Sequence, residues 1–234
     1  MGRHHEVRAA AMAKTAATKG ALYMRASKEA YMAAKTGSPD PKTNLALRAV
    51  FDKYRGQSVP RDVFDRAIKK AQGGSGETYI AGRYGAFGPG SSLLIVDTLS
   101  DNANRALVDI KTFIVKKGGH MGPVEYNFTE TGIFVFKGDD RDKIEETLIL
   151  GDVDVREVTI DDGVIEALVE PRDFAKAKEL LESIGVAEFE MAQLTMLANE
   201  TITLEDEHKE RFQELLNSLD ELEDVQAVYH NVDL

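Results

Sequence analysis

The sequence predicts an α+β protein of three domains: an N-terminal all-helical domain, a middle α/β domain completed by the C-terminus, and an inserted ferredoxin-like βαββαβ domain. Three observations predict it. The first third is rich in alanine and carries helical periodicity. After a GGSG stretch the apolar pattern shifts to short, strand-like runs. From Thr131 onward the elements alternate β-α-β-β-α-β, the order of a split β-α-β unit. The boundaries implied are 1–74 for the helical domain, 75–130 plus 205–234 for the middle domain, and 131–204 for the insert. A chain of 234 residues is long enough for each to bury a core.

The alanine-rich run from Ala9 to Ala34 predicts one bent helix or two helices meeting at Gly20. Gly37 and the following SPDP end it, because Pro39 and Pro41 cannot continue a helix. A second helix is expected over 44–55, with Leu47, Val50, Phe51 and Tyr54 on one stripe. Pro60 suits the start of a third, RDVFDRAIKKA, which runs to Gly73-Gly74. There Val63, Phe64, Ala67, Ile68 and Ala71 make the apolar face, while Arg66, Lys69 and Lys70 lie opposite. TYIAGRYGAFG and SSLLIVDTLS read as a hairpin turned at Gly88-Pro89-Gly90. A helix follows over 102–117, and PVEYNF alternates like a half-buried strand.

In the insert, GIFVFKG, VREVTI, VIEALVEP and EFEMAQLTML are the expected strands, with helices in RDKIEETLILG and RDFAKAKELLESIG. Asp161-Asp162-Gly163 suits a tight hairpin turn. A helix over 205–222 and the strand QAVYHNV close the chain. One helix and one strand cannot make a domain alone, and the middle region lacks a second helix to cover its sheet. Layer packing therefore returns the end of the chain to the middle domain.

The net charge of −11 conceals a gradient. Residues 1–73 hold 15 Lys/Arg against 6 Asp/Glu, residues 74–138 hold 6 against 6, and residues 139–234 hold 8 against 28. Such asymmetry suggests one end that faces a polyanion and another that polyanions repel. The candidate nucleic-acid-binding residues are Lys14, Lys19, Arg25, Lys28, Lys35, Arg48, Lys53, Arg66, Lys69 and Lys70. Lys and Arg on helices neutralise phosphates and release counterions. Tyr23 and Tyr31 could stack on bases, although tyrosines in short helical domains more often belong to the core. No helix-turn-helix, RRM or KH signature accompanies these bases, so contact with backbone or shape is expected, not base readout.

Enzymatic chemistry finds no support in the residues. GxSxG, Walker A and GxGxxG sequences are lacking, and there is no cysteine. His4-His5, His120, His208 and His230 do not have metal-ligand spacing, and Asp152 and Asp154 belong to no complete calcium loop. KKGGHMG, residues 116–122, has the composition of a phosphate cradle but follows a helix. Lysines there complement the negative dipole end, and glycine supplies the left-handed cap. The expectation is a cytoplasmic protein that is not an enzyme, with no cofactor, no metal, no membrane association and no small-molecule substrate.

Several stretches together resemble the YebC/PmpR family of probable transcriptional regulators, whose mitochondrial relatives are described as translational activators. They include GRHHEVR, YMAAKTGSPDP, NLALRAVFDKYR, VPRDVFDRAIKKAQGG, RYGAFGPGSSLLIVDTLSDNANRA, KKGGHMG, DVDVREV, LTMLANETITL and LEDVQAVYHNVD, in the family's order. The resemblance implies three domains and a partner in promoter DNA or ribosomal RNA. The acidic end would suit a basic protein, such as a ribosomal one. The sequence departs from the family pattern in lacking a tryptophan and a dense lysine cluster near its start. Gly85 stands where glutamate is usual, His120 replaces asparagine, the segment from Met121 to Tyr126 is short, and Ala198 replaces proline.

Overall fold

The computed structural model describes residues 19–74 and 76–233. They form two compact units, one spanning Thr129–Leu197 and the other the remaining described residues. The first unit-forming elements are helices α1 (Lys19–Thr36), α2 (Leu45–Tyr54) and α3 (Arg61–Gln72). Gly20 is the second residue of α1 and does not interrupt it; the expected helix N-terminal to Lys19 lies outside the described residues. Asn44 joins the first two helices. Its side-chain oxygen caps α2 by accepting from Leu47 N–H at 3.1 Å, while its amide donates to the carbonyls of Ala33 at 2.8 Å and Ser38. Ala30, Tyr31, Leu47, Tyr54, Phe64 and Ala67 form the buried centre of the three helices.

The same unit continues with β1 (Ile80–Phe87), β2 (Leu93–Ser100), α4 (Ala103–Lys116) and β3 (His120–Met121). The hairpin pairs Ile80 with Ser100 and Phe87 with Leu93. PVEYNF, expected as a strand, instead forms a 3-10 turn over Glu125–Asn127. The Asn127 N–H donates to the Val124 carbonyl at 2.9 Å and the Glu125 carboxylate accepts from the Val124 N–H, so local bonds replace a ladder. The two-residue strand β3 had no periodic signal and pairs with the end of β1.

The other unit contains most of β4 (Phe128–Lys137), then α5 (Arg141–Leu150), β5 (Val155–Asp161), β6 (Val164–Val169), α6 (Phe174–Ser183) and β7 (Met191–Ala198). Its sheet order, β5-β6-β4-β7, is that of a ferredoxin-like fold. Asp162 and Gly163, both with positive φ, turn the β5/β6 hairpin. Phe134, Phe136, Ile165, Leu148 and Leu181 are fully buried between this sheet and its helices.

After β7 come β8 (Ile202–Thr203), α7 (Asp206–Asp220), β9 (Val225–His230) and β10 (Val232–Asp233). Strand β9 pairs antiparallel with β2, giving a sheet of order β3-β1-β2-β9. Helices α4 and α7 cover it through Ile110, Ile114, Phe212, Leu215 and Leu219.

Two close approaches shape the edge of this sheet. A Cβ on Gly119 would lie 2.2 Å from the Phe87 carbonyl oxygen, so only glycine fits beside β1. At Gly85 a Cβ would meet the Gly122 carbonyl oxygen at 2.5 Å and Val124 at 3.1 Å. Gly122 N–H donates to the Gly85 carbonyl at 3.0 Å. The short 121–126 segment thus runs tightly over a position that carries no side chain, which relates two of the departures from the family pattern.

The helices and the middle sheet are locked together by Asp224, in the turn before β9. One carboxylate oxygen accepts from Lys28 Nζ at 2.7 Å; the other accepts from Ser100 Oγ and Arg105 Nη2, each at 2.8 Å. Lys28 is 6% exposed and also donates to the carbonyls of Leu99 and Glu223, so all three of its protons are used. Burial pushes the Asp224 carboxyl up, but the hydrogen bonds from Lys28, Arg105 and Ser100 outweigh it and hold the group below its ordinary value of 3.8. Its stabilising effect is therefore complete above that value and lost as pH falls through the folded pKa. Asp224→Asn, which leaves a buried ammonium without its counter-ion, is expected to cost about 3–5 kcal/mol at pH 7. Denaturant unfolding from pH 7 down to pH 2 should show the difference from the parent protein shrinking at the acid end.

Candidate nucleic-acid interface

The ten basic residues selected from sequence separate into distinct environments. Lys14 lies outside the described residues. Arg25 and Lys28, on the inward face of α1, are buried at 5% and 6% exposure and do not present an open basic face. Arg25 donates from Nε to the Val225 carbonyl at 2.6 Å and from Nη2 to the Asp220 carbonyl at 2.7 Å, and it pairs with the Asp220 carboxylate. The reason is spacing: 25 and 28 are one helical turn apart, on the side where Ala21 and Ala26 bring α1 close to its neighbours. Lys53 is half-buried against Glu29, which also accepts from the Tyr54 hydroxyl. Burial, followed by the Glu29 charge, pushes that phenol up. Tyr31 is 2% exposed, edge-on to Tyr79, and donates to the Glu77 carbonyl, so it is a core residue and not a stacking platform.

Lys19, Lys35, Arg48, Arg66, Lys69 and Lys70 are exposed. Arg48 closes the preceding turn by donating to the Pro41 and Lys42 carbonyls. Lys35 and Lys70 converge on Glu77, through its carbonyl and its carboxylate respectively. Hydrogen bonds from Lys70 and then Tyr79 hold the Glu77 carboxyl below the usual range. Arg66 pairs with Asp62 one turn back, with its own side chain 74% exposed.

Helix α3 carries three of these six exposed bases. Arg66, Lys69 and Lys70 fall at i, i+3 and i+4, so they share one outward side. Val63, Phe64 and Ala67 hold the opposite side in the helical core. Arg61, not selected from the sequence, joins this helix with a side chain 70% exposed, pairs with Asp65, and lies 4.7 Å over the Phe51 ring. A cation in a first turn opposes the helix dipole, and the Phe51 ring beneath Arg61 offsets that through a contact made only on folding. Exposed i,i+4 ion pairs contribute only about 0.3–0.5 kcal/mol, so a phosphate oxygen can replace Asp62 or Asp65 at small cost. No helix among the described residues is long and apolar enough to cross a membrane.

Comparison with known proteins agrees over the full length. The chain matches a model of the TACO1/YebC protein N-terminal domain over residues 3–74, and one of the TACO1/YebC second and third domain over residues 79–232. A probable transcriptional regulatory protein of Mesoplasma florum, Mfl546, is 45% identical over 234 residues, covering 99% of each chain. The probable transcriptional regulatory protein YeeN of Escherichia coli O157:H7 is 42% identical over 227 residues, covering 94% of this chain and 95% of its own. The crystal structure of a conserved hypothetical protein from Aquifex aeolicus, Aq1575, superposes with a TM-score of 0.76 at 29% identity, covering 94% of this chain and 92% of its own.

The two classes of basic residue should separate experimentally. Arg25→Gln, which strips donors from buried carbonyls, is expected to lower unfolding free energy by about 1–3 kcal/mol. Arg66→Gln, at an exposed pair, should stay within about 0.5 kcal/mol of the parent protein in the same urea titration.

Proposed function

Since the chain belongs to the TACO1/YebC family, we propose that it is a nucleic-acid-binding regulator of gene expression that acts by binding and not by catalysis. Its relatives carry the name probable transcriptional regulatory protein, which favours promoter DNA as the partner. The observation that carries the reading is the outward side of α3, where Arg66, Lys69 and Lys70 stand exposed beside weak internal pairs. Guanidinium and ammonium groups so placed meet phosphates and release counterions, without reading bases. Lys35 extends the same basic surface, since it shares Glu77 with Lys70.

A second reading, a translational activator contacting ribosomal RNA, is favoured by the charge of the C-terminal part. Residues 139–234 hold 28 Asp/Glu against 8 Lys/Arg, a balance that naked duplex would repel but a basic ribosomal protein would accept. Under either reading the working compartment is the cytoplasm.

The test is charge reversal at Arg66, Lys69 and Lys70 together. The triple variant should bind duplex DNA or ribosomes more weakly. The slope of log K against log salt for duplex DNA should become shallower by about 2.7, the release expected for three phosphate contacts. Co-sedimentation with ribosomes that is lost on RNase treatment would select the RNA partner over promoter DNA. Unchanged association with both partners would overturn the assignment of this face and favour a scaffold that binds only protein.

A further inference from the structure

A cleft of about 550 Å³ opens where three stretches remote in sequence converge on the middle sheet. They are the Gly88–Ser91 turn of the β1/β2 hairpin, the Lys117–His120 turn after α4, and the first half of α7. Its volume lies within the roughly 300–1,000 Å³ typical of small-molecule sites. Four basic side chains line it, Lys117, His120, His208 and Arg211, and among the described residues no carboxylate does.

The carboxylates that pair with these cations stand outside the lining. Glu214 accepts from Lys117, whose hydrogen bond holds that carboxyl below the usual range. Glu207 accepts from Arg211 at 2.8 Å across an exposed i,i+4 pair. That exposed pair yields readily to a competing anion. His208 Nδ1 is buried and has no hydrogen-bond partner among the described residues. Its ring is held by the hairpin turn, since a Cβ on Gly90 would lie 3.1 Å from His208 Cγ. At the rim, the rings of Phe87 and His120 stack with centroids 4.8 Å apart and planes 13° from parallel.

Cations and a stacked aromatic pair in one cleft match a ligand with a phosphate at one end and a flat ring at the other. We propose that this cleft binds a free mononucleotide, its phosphate on Lys117 and Arg211 and its base against the Phe87–His120 stack. The sequence alone suggests no small-molecule partner, because KKGGHMG reads as a helix stop; the tertiary structure adds the hairpin turn and α7 to it. This site is separate from the α3 face and does not depend on the function proposed for it.

Calorimetric titration of the full chain tests it, with adenosine 5′-monophosphate, adenosine, inorganic phosphate and hexaadenylate as probes. The monophosphate should bind at least tenfold more tightly than adenosine or inorganic phosphate. Arg211→Gln should weaken it at least tenfold with an unchanged unfolding midpoint. His120→Ala should weaken the monophosphate while sparing inorganic phosphate. Charge reversal on α3 should leave this binding intact, which separates the site from nucleic-acid association. No binding of the monophosphate at millimolar concentration, or binding undiminished in both Arg211→Gln and Lys117→Gln, overturns the proposal. Binding of hexaadenylate without the monophosphate also overturns it, placing the cleft on a strand.

Discussion

The carboxylate of Asp224 gathers donors from three separate elements into a site with little access to water. Lys28 comes from α1, Ser100 from the end of β2 and Arg105 from the first turn of α4. Its own backbone carbonyl accepts from Leu99 N–H at 2.8 Å, so the turn before β9 is tied to β2 through main chain as well. A buried charge is costly when isolated and tolerable when every lone pair and proton is matched. Here Lys28 has three acceptors and Asp224 has three side-chain donors. Each partner is therefore a condition for burying the other, and the placement of α1 depends on a turn about two hundred residues away.

That constraint changes the meaning of the charge gradient. A basic beginning and an acidic end suggest a polyanion-facing surface, but part of the gradient is consumed inside the protein. Arg25 meets Asp220, and Lys28 meets Asp224, so two of the basic residues dock the helices onto the chain's return. Of the remaining bases, Arg66, Lys69 and Lys70 stand together on the outer side of α3, while Lys19, Lys35 and Arg48 are exposed elsewhere. Such pairing accounts for part of the gradient without a polyanion, and the exposed bases of α3 are among those that it leaves over.

Much of the fold was legible because it rests on local bonds. The stop at KKGGHMG is one such case: Gly118 N–H donates to the Val115 carbonyl and Gly119 N–H to the Ile114 carbonyl, with Gly118 at φ +86, a Schellman cap. The βαββαβ order and the Asp162-Gly163 turn were readable for the same reason. PVEYNF was misread because its alternation satisfies a strand template, whereas Val124, Glu125 and Asn127 bond among themselves first. His120–Met121 is too short to show any period, and pairs only because β1 offers an open edge. In the candidate interface, Arg66, Lys69 and Lys70 were legible from their place opposite an apolar stripe. Arg25 and Lys28 were not, since a helix rich in alanine has no clear apolar side to mark which way its bases point.

By itself, then, the sequence determined the element types, the insert's strand order and the side of α3 that carries charge, because periodicity, capping and turn chemistry act within a few residues. Tertiary structure decided which bases are structural and which are exposed, how Gly85 and the short segment over it fit together, and that two glycine turns and α7 enclose one cleft. Those outcomes depend on partners such as Arg25 and Asp220, 195 positions apart, whose desolvation and hydrogen bonding exist only once the chain has closed on itself.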